Sequence, residues 1–169
     1  MMEKEYSGRV WKFGKNISTD NIAPSRLFAH RANMEEFASK YCLIDAREDF
    51  VTGVRPGDII VADTNFGCGS SREIAPTIIK MCGVPVVIAK SFGRIFYRNA
   101  INIGLILIES DTSAFTDGEK ITVNLEERII YRENDPAYKL SFFLSDKELR
   151  LLQEGGLLNF IEKYHTLDI

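Results

Sequence analysis

Ile59-Ile60-Val61-Ala62, then Asn65-Phe66-Gly67-Cys68-Gly69-Ser70-Ser71-Arg72-Glu73, then Ile74 to Cys82, and then Val84-Pro85-Val86-Val87-Ile88-Ala89 form one unbroken passage. It opens on four apolar residues in a row, the pattern of a strand buried on both faces. A glycine–serine loop follows, and then apolar residues at helical spacing: Ile74, Ile78, Ile79 and Cys82. Pro76 lacks an N–H and disfavours helix at Ala75, so the helix either starts near Pro76 or has an irregular first turn. Val84 to Ala89 reads as a second buried strand. Ser91 can cap a helix from Phe92 to about Ile103, and Leu105 to Ile108 is a third apolar strand. Strand–helix–strand–helix–strand predicts an α/β fold around a parallel sheet with right-handed crossovers.

Outward from that core the pattern is different. Val10-Trp11-Lys12-Phe13 reads as a short opening strand, Gly14 to Pro24 as a turn-rich loop, and Met34 to Tyr41 as a helix. Arg55-Pro56-Gly57-Asp58 is a tight turn. Beyond Asp111, the stretches Lys120 to Leu125, Arg128 to Arg132 and Lys139 to Phe143 read as additional short strands that pair locally. Ser145 and Glu148 have capping-box spacing for a short helix to Glu154. Gly155-Gly156 breaks it, and Leu157 to Tyr164 is a final amphipathic helix. There are no repeats, and 169 residues suit one domain spanning 1–169.

Composition narrows the function classes. The net charge is −3, and basic residues are interspersed with acidic ones rather than gathered in a stripe, which argues against nucleic acid. No apolar run is long enough for a membrane span. The start of the chain is charged and has no apolar signal core, so the cytoplasm is the expected location. The three cysteines, Cys42, Cys68 and Cys82, are scattered, and the two histidines are His30 and His165. Neither a disulfide framework nor a metal centre held by this chain alone is expected from that set.

The loop from Asn65 to Glu73 is the strongest chemical signal. It follows a buried strand and precedes a helix, where open α/β sheets bind ligands. Its glycines admit a close approach of backbone to ligand, and the N–H groups of the next helix favour anions. Arg72 adds a fork suited to a carboxylate, and Ser70 and Ser71 add hydroxyls. The same residues also read as a tight connection with serine caps and a solvated Arg, and on the residues alone both readings stand. A Walker loop is missing its Lys and spacing, and G-x-S-x-G is absent. In Ser18-Thr19-Asp20, Asp20 taken alone is a turn or cap residue. Arg94 and Arg98 lie four apart on one helix face and can bind an anion or pair with surface acids. Cys68 reads as a small residue in a tight turn.

Three clusters in this order carry a resemblance: Gly8-Arg9-Val10-Trp11-Lys12-Phe13-Gly14 with Ser18-Thr19-Asp20, then Asn65 to Glu73, then Ala89-Lys90-Ser91-Phe92-Gly93-Arg94-Ile95-Phe96-Tyr97-Arg98-Asn99-Ala100. From about Gly8 to Tyr164 the chain resembles the small subunits of isopropylmalate dehydratases, in the aconitase superfamily. The resemblance implies a swivelling β/β/α domain, equivalent to the mobile C-terminal domain of aconitase. It implies that a separate large subunit is the partner and carries a [4Fe–4S] cluster, with no cofactor on this chain. It also implies a hydro-lyase that moves a hydroxyl between neighbouring carbons of a 2-hydroxy di- or tricarboxylate by dehydration and rehydration.

By the same resemblance, Ser70 is the catalytic base, Arg72 stabilises its oxyanion and grips a substrate carboxylate, and Asp20 orients the catalytic groups. Gly69 and Ser71 shape the substrate-binding loop. Pro24-Ser25-Arg26-Leu27-Phe28-Ala29-His30-Arg31 departs from the family's pattern. Ser25 replaces the usual glycine of P-G-R, and Ala29 stands where homoaconitase forms carry Arg. Arg26, Leu27, Phe28, Ala29, His30 and Arg31 are therefore the expected contacts to the variable part of the substrate. The apolar Leu27-Phe28-Ala29 run suits an alkyl group, so isopropylmalate, in leucine biosynthesis, leads. Homocitrate-type acids, dimethylmalate or methylmalate, and a non-catalytic anion-binding or regulatory module are the alternatives. A homo-oligomer of the small subunit is possible.

Overall fold

In the computed structural model, which describes residues 3–30 and 32–169 and only the backbone of residue 30, one strand serves two sheets. The first part of β1 (Glu5–Lys12), Glu5 to Arg9, pairs antiparallel with β5 (Lys120–Asn124). Its last three residues, Val10 to Lys12, pair parallel with β2 (Ile59–Val61). β3 (Val86–Ala89) and β4 (Ile106–Glu109) continue the parallel side. β6 (Ile129–Arg132) and β7 (Asp135–Ser141) continue the antiparallel side. The order across the seven strands is β4-β3-β2-β1-β5-β6-β7.

The side chains of the parallel strands divide between two cores, because successive residues of a strand point to opposite faces. Ile60, Ala62, Val87, Ala89 and Leu107 meet the helical layer. Ile59, Val61, Val86, Ile88, Ile106 and Ile108 meet Ile121, Val123, Ile130 and Phe142 of the antiparallel half, which folds back over them. The result is the layering sheet, sheet, helix, as the swivelling β/β/α architecture requires. The helical layer contains α1 (Thr19–Ile22), a 3-10 helix (Ser25–His30), α2 (Met34–Tyr41), α3 (Phe50–Gly53), α4 (Ile74–Met81) and α5 (Arg94–Ile103). Two further helices, α6 (Asp146–Gln153) and α7 (Leu157–Tyr164), close the chain, with α7 against α5.

Several local expectations change. The segment read as loop from Gly14 to Pro24 contains α1, whose capping box uses Asn21 rather than the Glu or Gln that would have marked it. α4 begins at Ile74 with Pro76 inside its first turn, where the missing N–H leaves no bond unmade. Ser91 does not cap α5. Gly93 occupies that position, and the Ser91 hydroxyl accepts the Asn65 N–H at 2.8 Å instead. β7 starts earlier than expected and includes Pro136, which an edge strand tolerates. The Ser145 capping box forms as expected.

The turn before β2 is clamped to β1. Asp58 accepts from Trp11 Nε1 and Arg9 at 2.8 Å each and from the Arg55 N–H at 3.0 Å. Burial alone would raise the Asp58 carboxyl, but the bonds from Arg9, Trp11 and Arg55 outweigh it and hold the pKa below its ordinary value. Among the described residues no helix is long and apolar enough to cross a membrane.

Candidate active site

The three motifs meet backbone to backbone at the carboxyl end of the parallel strands. The Gly67 N–H donates to the Ile17 carbonyl at 2.7 Å, and the Thr19 N–H donates to the Cys68 carbonyl at 2.8 Å. On the other side, the Phe66 N–H donates to Ser91 O at 3.0 Å and the Gly93 N–H to Phe66 O at 2.9 Å. The loop after β2 is therefore held between the first motif and the third. Two glycines make this possible. Gly67 has φ +77°, and a Cβ there would lie 2.2 Å from Cγ of the buried Phe96. A Cβ on Gly93 would lie 2.6 Å from the Gly67 carbonyl oxygen.

On this platform Asp20, Arg72 and Ser70 form a chain of polar contacts. Arg72 Nε donates to Ser70 Oγ at 3.1 Å. One terminal nitrogen of Arg72 donates to the Ala23 carbonyl at 3.1 Å and pairs with Asp20 Oδ1 at 2.8 Å. The other terminal nitrogen bonds to none of the described residues. Asp20 Oδ1 also accepts the Ser25 N–H at 3.2 Å and the Ser25 hydroxyl at 3.0 Å. These groups keep the Asp20 carboxyl below its ordinary range, the Ser25 N–H contributing most, followed by the Ser25 hydroxyl and Arg72. Asp20 is thus a carboxylate at neutral pH. Asp20, Gly69, Ser70 and Ser71 are exposed and Arg72 is half-buried, so the site is an open rim rather than an enclosed pocket.

Thr19 is the residue the sequence reading missed. It is 2% exposed. Its hydroxyl donates to the Ser70 carbonyl at 3.2 Å and lies 3.4 Å from Ser70 Oγ. Its place beside Asp20 in the first motif was the available signal, but nothing in the sequence shows that the Thr19 side chain turns inward. Gly69, at φ +101°, gives the loop the left-handed turn that brings Ser70 to Thr19 and Arg72.

The segment expected to contact the variable part of a substrate is a 3-10 helix rather than a free loop. Leu27 and Phe28 are half-buried against the helical core, with the Phe28 ring 4.9 Å from that of Phe37. The Arg72 guanidinium lies 5.9 Å from the Phe28 ring centroid, which puts this segment beside the Asp20–Arg72–Ser70 cluster. Arg26 is ion-paired with Asp45, and Ala29 is exposed. The His30 side chain and Arg31 lie outside the described residues.

Arg94 and Arg98 line a separate cleft of about 510 Å³ with Phe92, Tyr97, Glu109, Phe143 and Glu148. In it the Tyr97 hydroxyl donates to Glu148 at 2.8 Å. A cavity of about 580 Å³ lies on the antiparallel side, lined by Glu3, Lys4, Leu125 and α6, away from the convergent polar groups. Among the described residues no three His, Cys, Asp or Glu side chains converge as a metal nest.

Residues 9–113 match the model of the aconitase C-terminal domain. The chain belongs to that family. Its aconitase C-terminal-like fold is similar to a crystal structure of 3-isopropylmalate dehydratase from Methanocaldococcus jannaschii, with a TM-score of 0.88 and 41% identity, covering 95% of each chain. A 3-isopropylmalate dehydratase small subunit of Archaeoglobus fulgidus is 45% identical over 96% of this chain and 98% of its own length. A methanogen homoaconitase small subunit of Methanothermobacter thermautotrophicus is 46% identical over 99% of this chain and 95% of its own. Within the aconitase C-terminal family, relatives named for different substrates are thus about equally similar to this chain overall.

Proposed function

We propose that this chain is the small subunit of a two-subunit hydro-lyase that interconverts 2- and 3-isopropylmalate through an alkene intermediate. The observation that carries the reading is the Asp20–Arg72–Ser70 chain on an open rim, in a fold whose relatives are named as small subunits of such enzymes. Ser70, ionised to its alkoxide by loss of the hydroxyl proton to solvent, takes the proton from the carbon next to a substrate carboxylate and ends the step as the hydroxyl. A serine hydroxyl is a very weak base, so its oxyanion needs a preorganised donor, and Arg72 Nε is already aimed at it. The Arg72 terminal nitrogen not engaged by Asp20 is available to a carboxylate of the substrate. Asp20 stays ionised and holds the guanidinium in that orientation, and Thr19 holds the Ser70 backbone.

The donor set of this chain does not suit an iron–sulfur cluster. Among the described residues its cysteines do not converge with further ligands, and Cys68 is in the serine loop. The [4Fe–4S] cluster that the reading implies belongs to the large subunit, which covers the rim and supplies the Lewis acid for the substrate hydroxyl. The chain acts as one swivelling domain, and the assembly works in the cytoplasm.

A homoaconitase-type activity is the second reading, because the methanogen homoaconitase subunit is as similar as the isopropylmalate ones. The half-buried Leu27 and Phe28 beside Arg72 favour an alkyl substituent over another carboxylate. Discrimination by such contacts is worth about 1–3 kcal/mol per methylene. The test is anaerobic reconstitution with the large subunit and its cluster, following alkene absorbance with isopropylmalate, homocitrate and dimethylmalate. Turnover of isopropylmalate, lost by roughly a thousandfold in Ser70→Ala with assembly intact, is the expected result. Preference for homocitrate supports the second reading. Retained turnover in Ser70→Ala removes Ser70 as the base. A stable complex inactive on every acid points to a non-catalytic module.

A further inference from the structure

Two of the three cysteines lie where α2 and α4 of the helical layer pack together, and the proposed chemistry does not use them. Cys42 closes α2 and Cys82 closes α4, and α2 packs on α4. Both reach for one oxygen. The Cys42 N–H donates to the Ala38 carbonyl at 3.3 Å, and the Cys82 thiol donates to the same carbonyl at 3.4 Å. Burial, and after it the neighbouring thiol, push the Cys42 pKa well above the usual thiol value. Cys42 is fully buried, whereas Cys82 is partly exposed. Cys68, the third cysteine, lies in the serine loop against Ser18.

We propose that Cys42 and Cys82 form a dithiol modification site that closes to an intrachain disulfide when the protein meets a small-molecule disulfide. The Cys82 thiol lies against the carbonyl that also accepts the Cys42 N–H, so the two residues are neighbours across the α2–α4 packing, and neighbouring residues are what a disulfide needs. The order of events follows from access, because Cys82 is partly exposed and Cys42 is fully buried. The accessible Cys82 thiolate attacks one sulfur of the oxidant, forming a mixed disulfide and expelling the oxidant's other half as a thiolate. Cys42 then gives up its proton and attacks Cys82 Sγ, expelling the second half. Two protein thiols lose two protons and two electrons, and the oxidant becomes two thiols. The bond would tie the end of α2, whose Phe37 supports Phe28, to the end of α4, which starts two residues after Arg72. It would therefore link the supports of both walls of the candidate site.

The test uses the whole chain with oxidised glutathione across a neutral to alkaline pH series, followed by alkylation, proteolysis and mass spectrometry without reduction. The expected product is a peptide pair joined through Cys42 and Cys82, formed faster as pH rises because Cys42 must deprotonate. Cys42→Ala should stop at the glutathione adduct on Cys82, and Cys82→Ser should leave Cys42 unmodified. Wild-type protein that accumulates only the Cys82 adduct overturns the proposal. So does wild-type protein in which Cys68 alone reacts while both other thiols remain free. The wild-type map decides on its own if either variant fails to fold.

Discussion

The two halves of the sheet bury their strands differently. β2, β3 and most of β4 are buried at every position, because helices cover one face and the antiparallel half covers the other. β5 alternates between buried and partly or fully exposed residues, and β7 has no buried residue at all. The parallel half therefore holds its strand ends rigidly, and the candidate catalytic residues are on loops that leave or face those ends. The antiparallel half seals the back of the sheet. The comparison teaches that rigidity at the site comes from burial on both faces, while the second sheet can present a wet face because it has only one core to serve.

The largest effect should come from the loop crossing. Gly67→Ala places a methyl group against Phe96 at a position with positive φ, so it should cost about 4 kcal/mol or more. Urea unfolding would report this, and a near-wild-type midpoint would break the view that the glycine crossing holds the site. Next, Ile121→Ala in the antiparallel half removes a fully buried side chain and should cost about 2–4 kcal/mol. Turnover per folded, assembled molecule should be unchanged. A loss of turnover at full folding would show that the antiparallel half does more than seal the sheet.

Asp58→Ala tests the joint between the halves. It leaves Trp11 Nε1 and the Arg55 N–H without their acceptor and Arg9 with the Gly53 carbonyl in place of an ion pair, and should cost about 2 kcal/mol. Because the Asp58 carboxyl is held below its ordinary value of 3.8, its contribution is complete above that pH and is lost as pH falls through the lower folded-state value. The variant should therefore lose its stability difference from wild type in strong acid, as acid titrations of unfolding midpoints would reveal. The smallest effect is expected for Ser25→Gly. It keeps the N–H that Asp20 accepts but removes the hydroxyl bond, so kcat/KM should fall only by a few-fold, about 1 kcal/mol. A change of a hundredfold would mean that the Ser25 hydroxyl, and not the backbone, positions Asp20.

Much of this was legible in the sequence because the signals were local. Unbroken apolar runs marked β2, β3 and β4, since strands buried on both faces leave no room for polar alternation. Met34 to Tyr41 and the Ser145 capping box were read correctly for the same reason. The first half of β1 escaped because Glu5, Ser7 and Arg9 are polar residues whose pairing partner lies more than a hundred positions away in β5. α1 escaped because one turn of helix carries too little periodicity to detect.

The sequence by itself determined the fold class, the loop with Ser70 and Arg72, and the family resemblance, because each is encoded in residues that are neighbours in the chain. Only the tertiary structure decided that the antiparallel strands fold back as a second layer and that Leu27 and Phe28 are anchored on the core. It alone showed that Thr19 reaches Ser70 and that Asp20 shares one oxygen between Ser25 and Arg72. The physical reason is that these contacts join residues from separate motifs. Their distances depend on how two buried faces pack, which no spacing along the chain specifies.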